Sequence, residues 1–311
     1  MSKFLLRLLI VGFLGLIHPI SQAKTLIITH NFNAPAFIEL QHKTFKKFVQ
    51  NDYEYVVFND ANNEPMAHQI ASECEKYEVK CIRVPQEIHT RPYLPRQPKD
   101  PLQRTNIRHA NCVQYSFDTL GFDHDGIVMV IDSDMMLIRP LNFEQYMSDK
   151  NIAAFMKGAS DKVTHLCPAL CIFKMNELPN PHSMNFNCGM VDGANADSGG
   201  FTYYYLQKYR NEINLVAASY LPSHALWLGN HDIRQSVDHS IADHVKTTKY
   251  QELGFNEKEI EFLLKKPDTF EFLLDLHFLH YHGASNYSRQ SQAYHARKLQ
   301  IFREFVESIT A

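Results

Sequence analysis

The sequence predicts an α/β protein in which a mostly parallel central sheet is flanked by helices. Short runs rich in β-branched residues alternate with helical patterns from residue 25 to residue 131. Residues 127–131 read Ile-Val-Met-Val-Ile, and five consecutive large apolar residues are typical of a strand that is buried on both faces. Strand, helix and strand at this spacing require right-handed crossovers, and these place the strands in parallel.

The first half of the chain supplies the regular part of this pattern. We predict strands at 25–29, 53–58, 79–84 and 127–131, and helices at 36–49, 66–76 and 103–120. In the first helix, Phe37, Leu40 and Phe45 follow helical spacing, while lysines occupy the opposite side. Residues 85–102 contain five prolines and few apolar residues, so they predict a long loop that acts as a lid or a binding segment.

The second half is less regular. We predict a strand at 152–156, apolar segments at 166–173 and 186–191, and helices from about Asp197, from an N-cap at Asn256 through Leu264, and over 290–308. The sequence contains no internal repeat and no clear linker. One domain is therefore expected to cover 24–311.

Asp132 and Asp134 follow the buried strand directly, with one residue between them. In open α/β sheets ligands bind at the carboxyl ends of the strands, and two carboxylates there suit a hard divalent cation that holds phosphate oxygens. The alternative is that the two aspartates only cap a turn, since short Asp-x-Asp strings often do so.

The first 23 residues resemble a secretory signal. Lys3 and Arg7 precede an apolar stretch at 8–17, and Ala23 ends a segment with small residues at the expected cleavage positions. We expect an exported protein, periplasmic or secreted; the alternative is an uncleaved membrane anchor with an extracytoplasmic domain. The net charge of −3 and the lack of a basic tract give no reason to expect a nucleic-acid partner.

Six cysteines follow the signal-like segment: Cys74, Cys81, Cys112, Cys167, Cys171 and Cys188. Export would permit disulfides, but one sequence does not reveal their connectivity. No two of these cysteines form a Cys-x-x-Cys pair, which argues against a thiolate metal site. Buried or disulfide-bonded structural cysteines are the expectation.

Three separated segments carry a family resemblance: Leu26–Asn31, Asp132-Ser133-Asp134, and Phe278-Leu279-His280-Tyr281-His282-Gly283-Ala284-Ser285-Asn286-Tyr287. Together they resemble nucleotide-sugar glycosyltransferases of the GT-A fold, in particular glycogenin-like and bacterial galactosyltransferase-like members. The resemblance implies Mn²⁺ or Mg²⁺ held by Asp132, Asp134 and His280. It also implies a UDP- or GDP-linked sugar donor whose nucleotide lies along Thr29, His30 and Asn31.

The same resemblance divides the domain into a nucleotide-binding half, about 24–140, and a half that completes the metal site and binds the acceptor, about 141–311. The acceptor would be a glycan, a lipid or a protein, and a membrane would be a partner only if the N-terminal segment stays attached. A sugar leaving a nucleoside diphosphate sheds a highly charged phosphate group. A divalent ion and cationic side chains lower that barrier.

Positive charge near the phosphates is the point at which the chain departs from the family. The glycogenin-like pattern has a lysine three residues after the glycine, whereas this chain has Asn286, and Arg289 is the candidate replacement. Arg104 and Arg108 share one helix face at i and i+4, where they could orient the carboxylates or reach phosphate. A solvated face with ordinary salt bridges is the alternative for these two arginines.

The acceptor side offers three candidate catalytic carboxylates. Asp192 and Asp197 lie in a glycine-rich polar stretch, and Asp232 ends the string Gly229-Asn230-His231-Asp232. An inverting transferase needs one carboxylate as general base on the acceptor hydroxyl, whereas a retaining one does not. Helix capping and turn formation are the competing roles.

Two other functions compete with glycosyl transfer. Gly229-Asn230-His231-Asp232 and His280-Tyr281-His282 match strings of metallophosphoesterases, but the first strand ends in Thr29-His30-Asn31 without the carboxylate that such an enzyme needs. An exported carbohydrate-binding module of the same fold, without turnover, is the second alternative. Export motivates it, because nucleotide sugars are not expected outside the cytoplasm unless another compartment supplies them.

Overall fold

The structure is a computed structural model that describes residues 25–89, 103–222, 243–265, 270–281 and 292–311. Its strands are β1 (Thr25–Asn31), β2 (Tyr53–Asn59), β3 (Lys80–Arg83), β4 (Ile127–Asp132), β5 (Met135–Leu137), β6 (Ile152–Gly158), β7 (Thr164–Lys174), β8 (Gly189–Val191), β9 (Ala194–Ala196), β10 (Leu215–Ala217), β11 (Tyr220–Pro222), β12 (Phe270–Leu273) and β13 (Phe278–Tyr281). Its α-helices are α1 (Ala36–Phe48), α2 (Glu64–Lys76), α3 (Gln103–Ser116), α4 (Phe143–Tyr146), α5 (Thr202–Lys208), α6 (Asp243–Glu252), α7 (Glu257–Leu264) and α8 (Gln292–Thr310).

The large sheet has the strand order β10-β6-β7-β4-β1-β2-β3. All neighbours are parallel except at β7, which runs antiparallel to both β6 and β4. The predicted α/β class with a mostly parallel central sheet is therefore confirmed. The register pairs His30 with Asp132 and Asn31 with Asn59, so the carboxyl ends of β4, β1 and β2 meet at one edge.

Both faces of the large sheet are buried, as the apolar runs predict. On one face, Ile27 and Met129 pack with Phe45 of α1; on the other, Ile28 and Val130 belong to a second core cluster that includes residues of α3. Burial of each such side chain stabilises the fold by roughly 1.5–3 kcal/mol. This packing fixes where β4 ends, and with it the positions of the carboxylates that follow.

A second, four-stranded sheet has the order β11-β12-β13-β5 and is antiparallel throughout. It pairs Glu271 with His280 and His280 with Met135, and the Tyr281 amide donates to the Asp134 carbonyl at 2.8 Å. β5 begins directly after Asp134. The small sheet therefore brings a late segment of the chain against the end of β4.

The strands and helices predicted in the first half agree with the structure to within a few residues. The capped helix at Asn256 is also confirmed, with a capping box to Glu259. The helix predicted from about Asp197 is present, but it begins only at Thr202, so its predicted start is wrong. Gly199 explains the delay, because it has φ +85° and a Cβ there would lie 2.0 Å from the Leu166 carbonyl oxygen, so only glycine fits this turn.

Two predicted segments lie wholly or mostly outside the described residues. These are the signal-like residues 1–23 and the proline-rich loop, of which residues 86–89 form a 3₁₀ turn. Of the helices in the described ranges, none has the length and apolarity that a bilayer crossing requires.

The six cysteines are free thiols in the structure. Cys74 and Cys81, which flank the turn between α2 and β3, share a thiol hydrogen bond. The hydrogen bond with Cys74, followed by one from Asn59, lowers the pKa of the Cys81 thiol below its ordinary value. The prediction of buried structural cysteines fits Cys74, Cys112, Cys171 and Cys188, whereas Cys81 and Cys167 are partly exposed.

Candidate metal centre

Asp132, Asp134 and His280 converge at the carboxyl end of β4. Their ligand atoms all lie within 4.8 Å of one another. The His280 Nε2 atom is 3.3 Å from Asp134 Oδ1 and 3.9 Å from Asp132 Oδ2. Asp132 is the most accessible of the three side chains, whereas the other two are nearly buried. The structure thus brings together the three residues that the resemblance named as metal ligands.

Glu271 fixes the orientation of the His280 ring, and the sequence did not predict this role. Its Oε2 atom lies 2.7 Å from His280 Nδ1, and its Oε1 atom accepts a 2.7 Å hydrogen bond from the Tyr220 hydroxyl. Because a carboxylate accepts, Nδ1 carries the proton in this pair and Nε2 faces the two aspartates. Outer carboxylates of this kind orient metal-binding histidines in many proteins.

Asp134 and Glu271 decide the protonation of His280 in the absence of a cation. Burial by itself lowers the pKa of the imidazole, but the charge of Asp134 and hydrogen bonds to Asp134 and Glu271 outweigh burial and raise the pKa to about 10. At neutral pH the ring is therefore a cation that balances the aspartates. A divalent ion would displace the Nε2 proton, since a metal ligand must be deprotonated.

Two further histidines extend the site on its other side. His109 Nε2 lies 3.4 Å from Asp132 Oδ1, and the His109 ring meets the His30 ring edge-on at 5.8 Å. The Ser116 hydroxyl donates to the Val113 carbonyl, so His30 Nε2 donates to Ser116 Oγ at 2.9 Å. Burial, followed by the charge of His109, lowers the pKa of His30 well below its ordinary value. His30 is therefore a neutral side chain behind His109.

The donor set fits a hard divalent cation. Two carboxylate oxygens and one imidazole nitrogen face a shared space, and the opposite ring nitrogen is already held by Glu271. Oxygen-rich sites with one imidazole suit Mg²⁺ and Mn²⁺, whereas the thiols that Zn²⁺ often prefers are absent from this group. Asp132 and Asp134 also carry more negative charge than one imidazolium neutralises.

The residues predicted for the nucleotide edge have mainly structural contacts. The Thr29 side chain is fully buried, and its hydroxyl donates to the Ile131 carbonyl at 3.0 Å, which ties β1 to β4. The Asn31 side chain is also buried and closes a turn through two hydrogen bonds with the backbone of Ala34. Both side chains are therefore engaged in contacts within the protein.

Arg108 does not contact the aspartate pair. Its guanidinium binds Asp60 through Nε and Nη2 at 2.8 and 2.7 Å, also donates to Gln86, and lies 4.9 Å from the centre of the Phe32 ring. The geometry of Arg108 therefore matches the alternative of an ordinary salt bridge. The side chain of Arg104, and all of Asn286 and Arg289, lie outside the described residues.

The candidate catalytic carboxylates have different surroundings. Asp192 is exposed and forms the turn between β8 and β9 with Gly193, both with positive φ, which is hairpin chemistry. Asp197 forms a salt bridge with Lys157 of β6. Burial would raise the pKa of Asp197, but the Lys157 ammonium outweighs burial, and the net pKa is lowered. Asp232 lies outside the described residues.

A lowered pKa makes Asp197 a weak proton acceptor. The salt bridge with Lys157 and this lowered pKa favour a binding role for Asp197 over that of a general base. Lys157 also interacts electrostatically with Asp132, as Asp197 does with His109. Lys157 was not among the predicted site residues, because it is 25 residues from Asp132 in sequence and only strand pairing brings β6 to this edge. Lys157 adds a positive charge at the carboxyl end of β6, on the same edge of the sheet as the aspartates.

Comparisons with known proteins give structural likenesses only. No family model and no curated protein matches the chain. A galactosyltransferase, LgtC, in complex with donor and acceptor sugar analogues, has a TM-score of 0.41 at 12% identity, covering 92% of this chain and 97% of that one. A mannosyltransferase from Pyrobaculum calidifontis with GDP-Man and Mn²⁺ has a TM-score of 0.37 at 14% identity, covering 64% of this chain and 55% of that one.

Glucosyl-3-phosphoglycerate synthase from Mycobacterium tuberculosis, with Mn²⁺ and UDP, also has a TM-score of 0.37, at 13% identity over 63% of this chain and 70% of that one. The match to the mannosyltransferase spans little more than half of that protein's length. All three are named as sugar-transferring or sugar-joining enzymes, the class that the sequence resemblance implied. At these identities and TM-scores they do not assign a function to this chain.

Proposed function

We propose that this protein is a glycosyltransferase that uses a divalent metal ion to move a sugar from a nucleotide-sugar donor to an acceptor. The observation that carries the proposal is the convergence of Asp132, Asp134 and His280 at the carboxyl edge of a mostly parallel sheet, with Glu271 orienting the histidine. Carboxylates at that edge, with an imidazole held for coordination, suit a metal that holds phosphate oxygens.

The leaving group explains why such a site is needed. The metal ion, when bound, takes up negative charge that develops on the departing nucleoside diphosphate. Asp132 and Asp134 would hold the ion through their oxygens, and His280 would do so through Nε2. The Nδ1 proton of His280 would stay hydrogen-bonded to Glu271. Lys157 adds a positive charge near the same edge. This charge takes the place of the lysine that the family pattern has where this chain has Asn286.

The finer assignments belong to the same proposal. Mn²⁺ is the first ion to test and Mg²⁺ the second, with a UDP- or GDP-linked sugar as donor. The acceptor is a glycan, a lipid or a protein. We also propose that residues 1–23 direct export or anchor the chain to a membrane, with about 24–140 as the nucleotide half and about 141–311 as the acceptor half.

Nucleotide release tests the proposal. The protein is incubated with a panel of UDP- and GDP-sugars, with Mn²⁺ or with chelator, and free UDP or GDP is measured. We expect release from at least one donor only with metal, and a loss of more than about 100-fold in the Asp134→Ala variant. Glu54→Gln, in an exposed pair with Lys80, is the matched control that should retain full activity.

The outcomes distinguish the competing functions. Metal-dependent hydrolysis of simple phosphate esters, without release from any nucleotide sugar, would indicate the metallophosphoesterase instead. Glycan binding without turnover of any donor would indicate a non-catalytic module. Release that continues in chelator, or in Asp134→Ala, would contradict the role given to the metal.

A further inference from the structure

We propose that Tyr220 and Phe155 form a stacking platform for a pyranose ring of the acceptor, and that the Lys157–Asp197 pair binds hydroxyl groups of that ring. The inference rests on the proposed function and deepens it, since it names the chemistry of the acceptor and the surface that receives it. The four side chains come from three separate segments: β6, β11 and the turn after β9.

Tyr220 is an aromatic side chain that is both stacked and exposed. Its ring centre lies 5.0 Å from that of Phe155 with 24° between the planes, and 42% of the residue remains accessible. The backbone around it is held from both sides, by a 2.7 Å hydrogen bond from the Ala218 amide to Ala154 and a 3.0 Å one from the Leu274 amide to Ser219. Because the Tyr220 hydroxyl is also hydrogen-bonded to Glu271, the side chain is held in place before a ligand arrives, which lowers the entropic cost of binding.

The platform is joined to the metal centre by hydrogen bonds. The Tyr220 hydroxyl donates to Glu271, and Glu271 holds the Nδ1 side of His280. Pro222 pairs with Glu271 and Glu271 pairs with His280, so Tyr220, two residues before Pro222, lies on the same face of the small sheet. Two hydrogen bonds, from Tyr220 to Glu271 and from His280 to Glu271, thus connect the platform to His280 at the metal centre.

The surroundings of the ring suit a sugar. One face of a pyranose is made of C–H groups, which lose contact with water when they cover an aromatic ring. Lys157 is two residues beyond Phe155 on β6 and shares its side of the strand, and its salt bridge with Asp197 is only partly buried. The pair supplies a hydrogen-bond donor and an acceptor to neighbouring hydroxyl groups.

The sheet topology favours the acceptor over the nucleotide as the ligand of the Tyr220–Phe155 platform. In the large sheet β6 lies on one side of β4, and β1 and β2 lie on the other. The nucleotide edge assigned to β1 is therefore across Asp132 from Phe155. A sugar acceptor approaching along β6 would reach the metal from the side opposite the nucleotide, as transfer between them requires.

Ligand-detected NMR tests the platform. The full protein, with UDP or GDP and diamagnetic Mg²⁺, is mixed with methyl glycosides of glucose, galactose, mannose and N-acetylglucosamine, and saturation transfer to their ring protons is measured. We expect at least one glycoside to bind, with the strongest transfer on its C–H face. Tyr220→Leu should weaken that binding at least about tenfold, and Phe155→Leu should weaken it in the same direction.

Two variants serve as controls. Tyr220→Phe keeps the ring and loses only the hydroxyl, so glycoside affinity should change less than about threefold. Tyr204→Leu removes an equally exposed tyrosine, 44% accessible, on α5 and should change nothing. Nucleotide binding is measured in every sample. It shows that each variant is folded, and it tests the proposed function separately.

The results have distinct meanings. Nucleotide binding without any glycoside binding, or glycoside binding that is unchanged in both Tyr220→Leu and Phe155→Leu, overturns the platform and leaves the proposed function standing. Failure of the wild-type protein to bind any nucleotide with metal overturns the proposed function itself. Equal losses in Tyr220→Phe and Tyr220→Leu would assign the effect to the hydroxyl and Glu271, which also overturns stacking.

Discussion

Asp60 and the Asp132–Asp134 pair lie at the same edge of the large sheet, at the ends of β2 and β4 with β1 between them. Asp60 is neutralised within the protein. Arg108 binds both of its oxygens and its carbonyl, His89 Nε2 lies 2.8 Å from Oδ1, and the Asp60 side chain is only 4% exposed. Asp132 and Asp134 instead share the His280 imidazole, and Asp132 also lies near His109.

The difference concerns charge balance. A buried carboxylate with a bidentate arginine has its lone pairs occupied, and it connects β2 to the turn at 86–89 and to α3. The carboxylates of Asp132 and Asp134 instead lie with the His280 imidazole around one shared space. An acidic residue after a buried strand is thus common to both clusters, and only the second can receive a cation.

Removing one metal-facing carboxylate should have the largest effect. In Asp134→Asn we expect Mn²⁺ affinity to fall more than about 100-fold, so that the stabilisation of about 2.7 kcal/mol given by metal at 100 times its dissociation constant disappears. Thermal unfolding with and without Mn²⁺ measures it. A variant that keeps the wild-type metal-induced shift would show that Asp134 is not a ligand.

Removing the charge of Asp60 should lower the stability of the fold and leave the response to metal unchanged. Asp60→Asn leaves Arg108 without its charge partner, and we expect a loss of about 3 kcal/mol in the free energy of unfolding, while the metal-induced shift is retained. Denaturant unfolding measures the loss. Glu54→Gln, in an exposed ion pair with Lys80, is the control and should cost less than about 0.5 kcal/mol. A lost metal response in Asp60→Asn would contradict the separation of the two clusters.

Removing the carboxylate that orients His280 should lower Mn²⁺ affinity less than removing Asp134 does. Glu271→Gln replaces the carboxylate that holds His280 Nδ1 with a neutral acceptor, so we expect Mn²⁺ affinity to fall roughly tenfold while the fold is kept. Calorimetric titration measures the affinity. Tyr220→Phe, which removes one hydrogen bond to Glu271, should change it by less than about threefold. Unchanged affinity in Glu271→Gln would remove its positioning role.

The smallest expected effect is a change in proton binding. The pKa of His280 is raised to about 10 in the metal-free folded protein from an ordinary value of 6.5. Its contribution to metal-free stability is therefore complete below about pH 6.5 and lost as pH rises toward 10. Mn²⁺ binding at pH 7.5 should release about one proton, and affinity should rise with pH.

Calorimetry in two buffers of different ionisation enthalpy counts that proton. The Asp60→Asn variant should release the same number, because Asp60 does not face His280. No proton release on metal binding would mean that the His280 ring is already neutral in the metal-free protein, or that it does not bind the metal.

The sequence by itself determined the regular half of this protein. Its α/β class, the strands and helices from Thr25 to Asp132, and the placement of the aspartate pair after a buried strand follow from local patterns of apolar residues, which act within one element. The late His280 was found only through a family motif. Thr29 and Asn31 were assigned to the nucleotide through the family resemblance, and Arg108 was a candidate for phosphate through its helix spacing. The structure gives all three side chains partners within the protein.

Only the tertiary structure decided which side chains support the site. Glu271 reaches His280 through the β12–β13 pairing, Tyr220 joins them from β11, and Lys157 comes from β6 beyond β7. Such contacts depend on which strands pair and in what register. A one-residue shift in register would turn every side chain to the opposite face, and residue types along one strand do not report its distant partner.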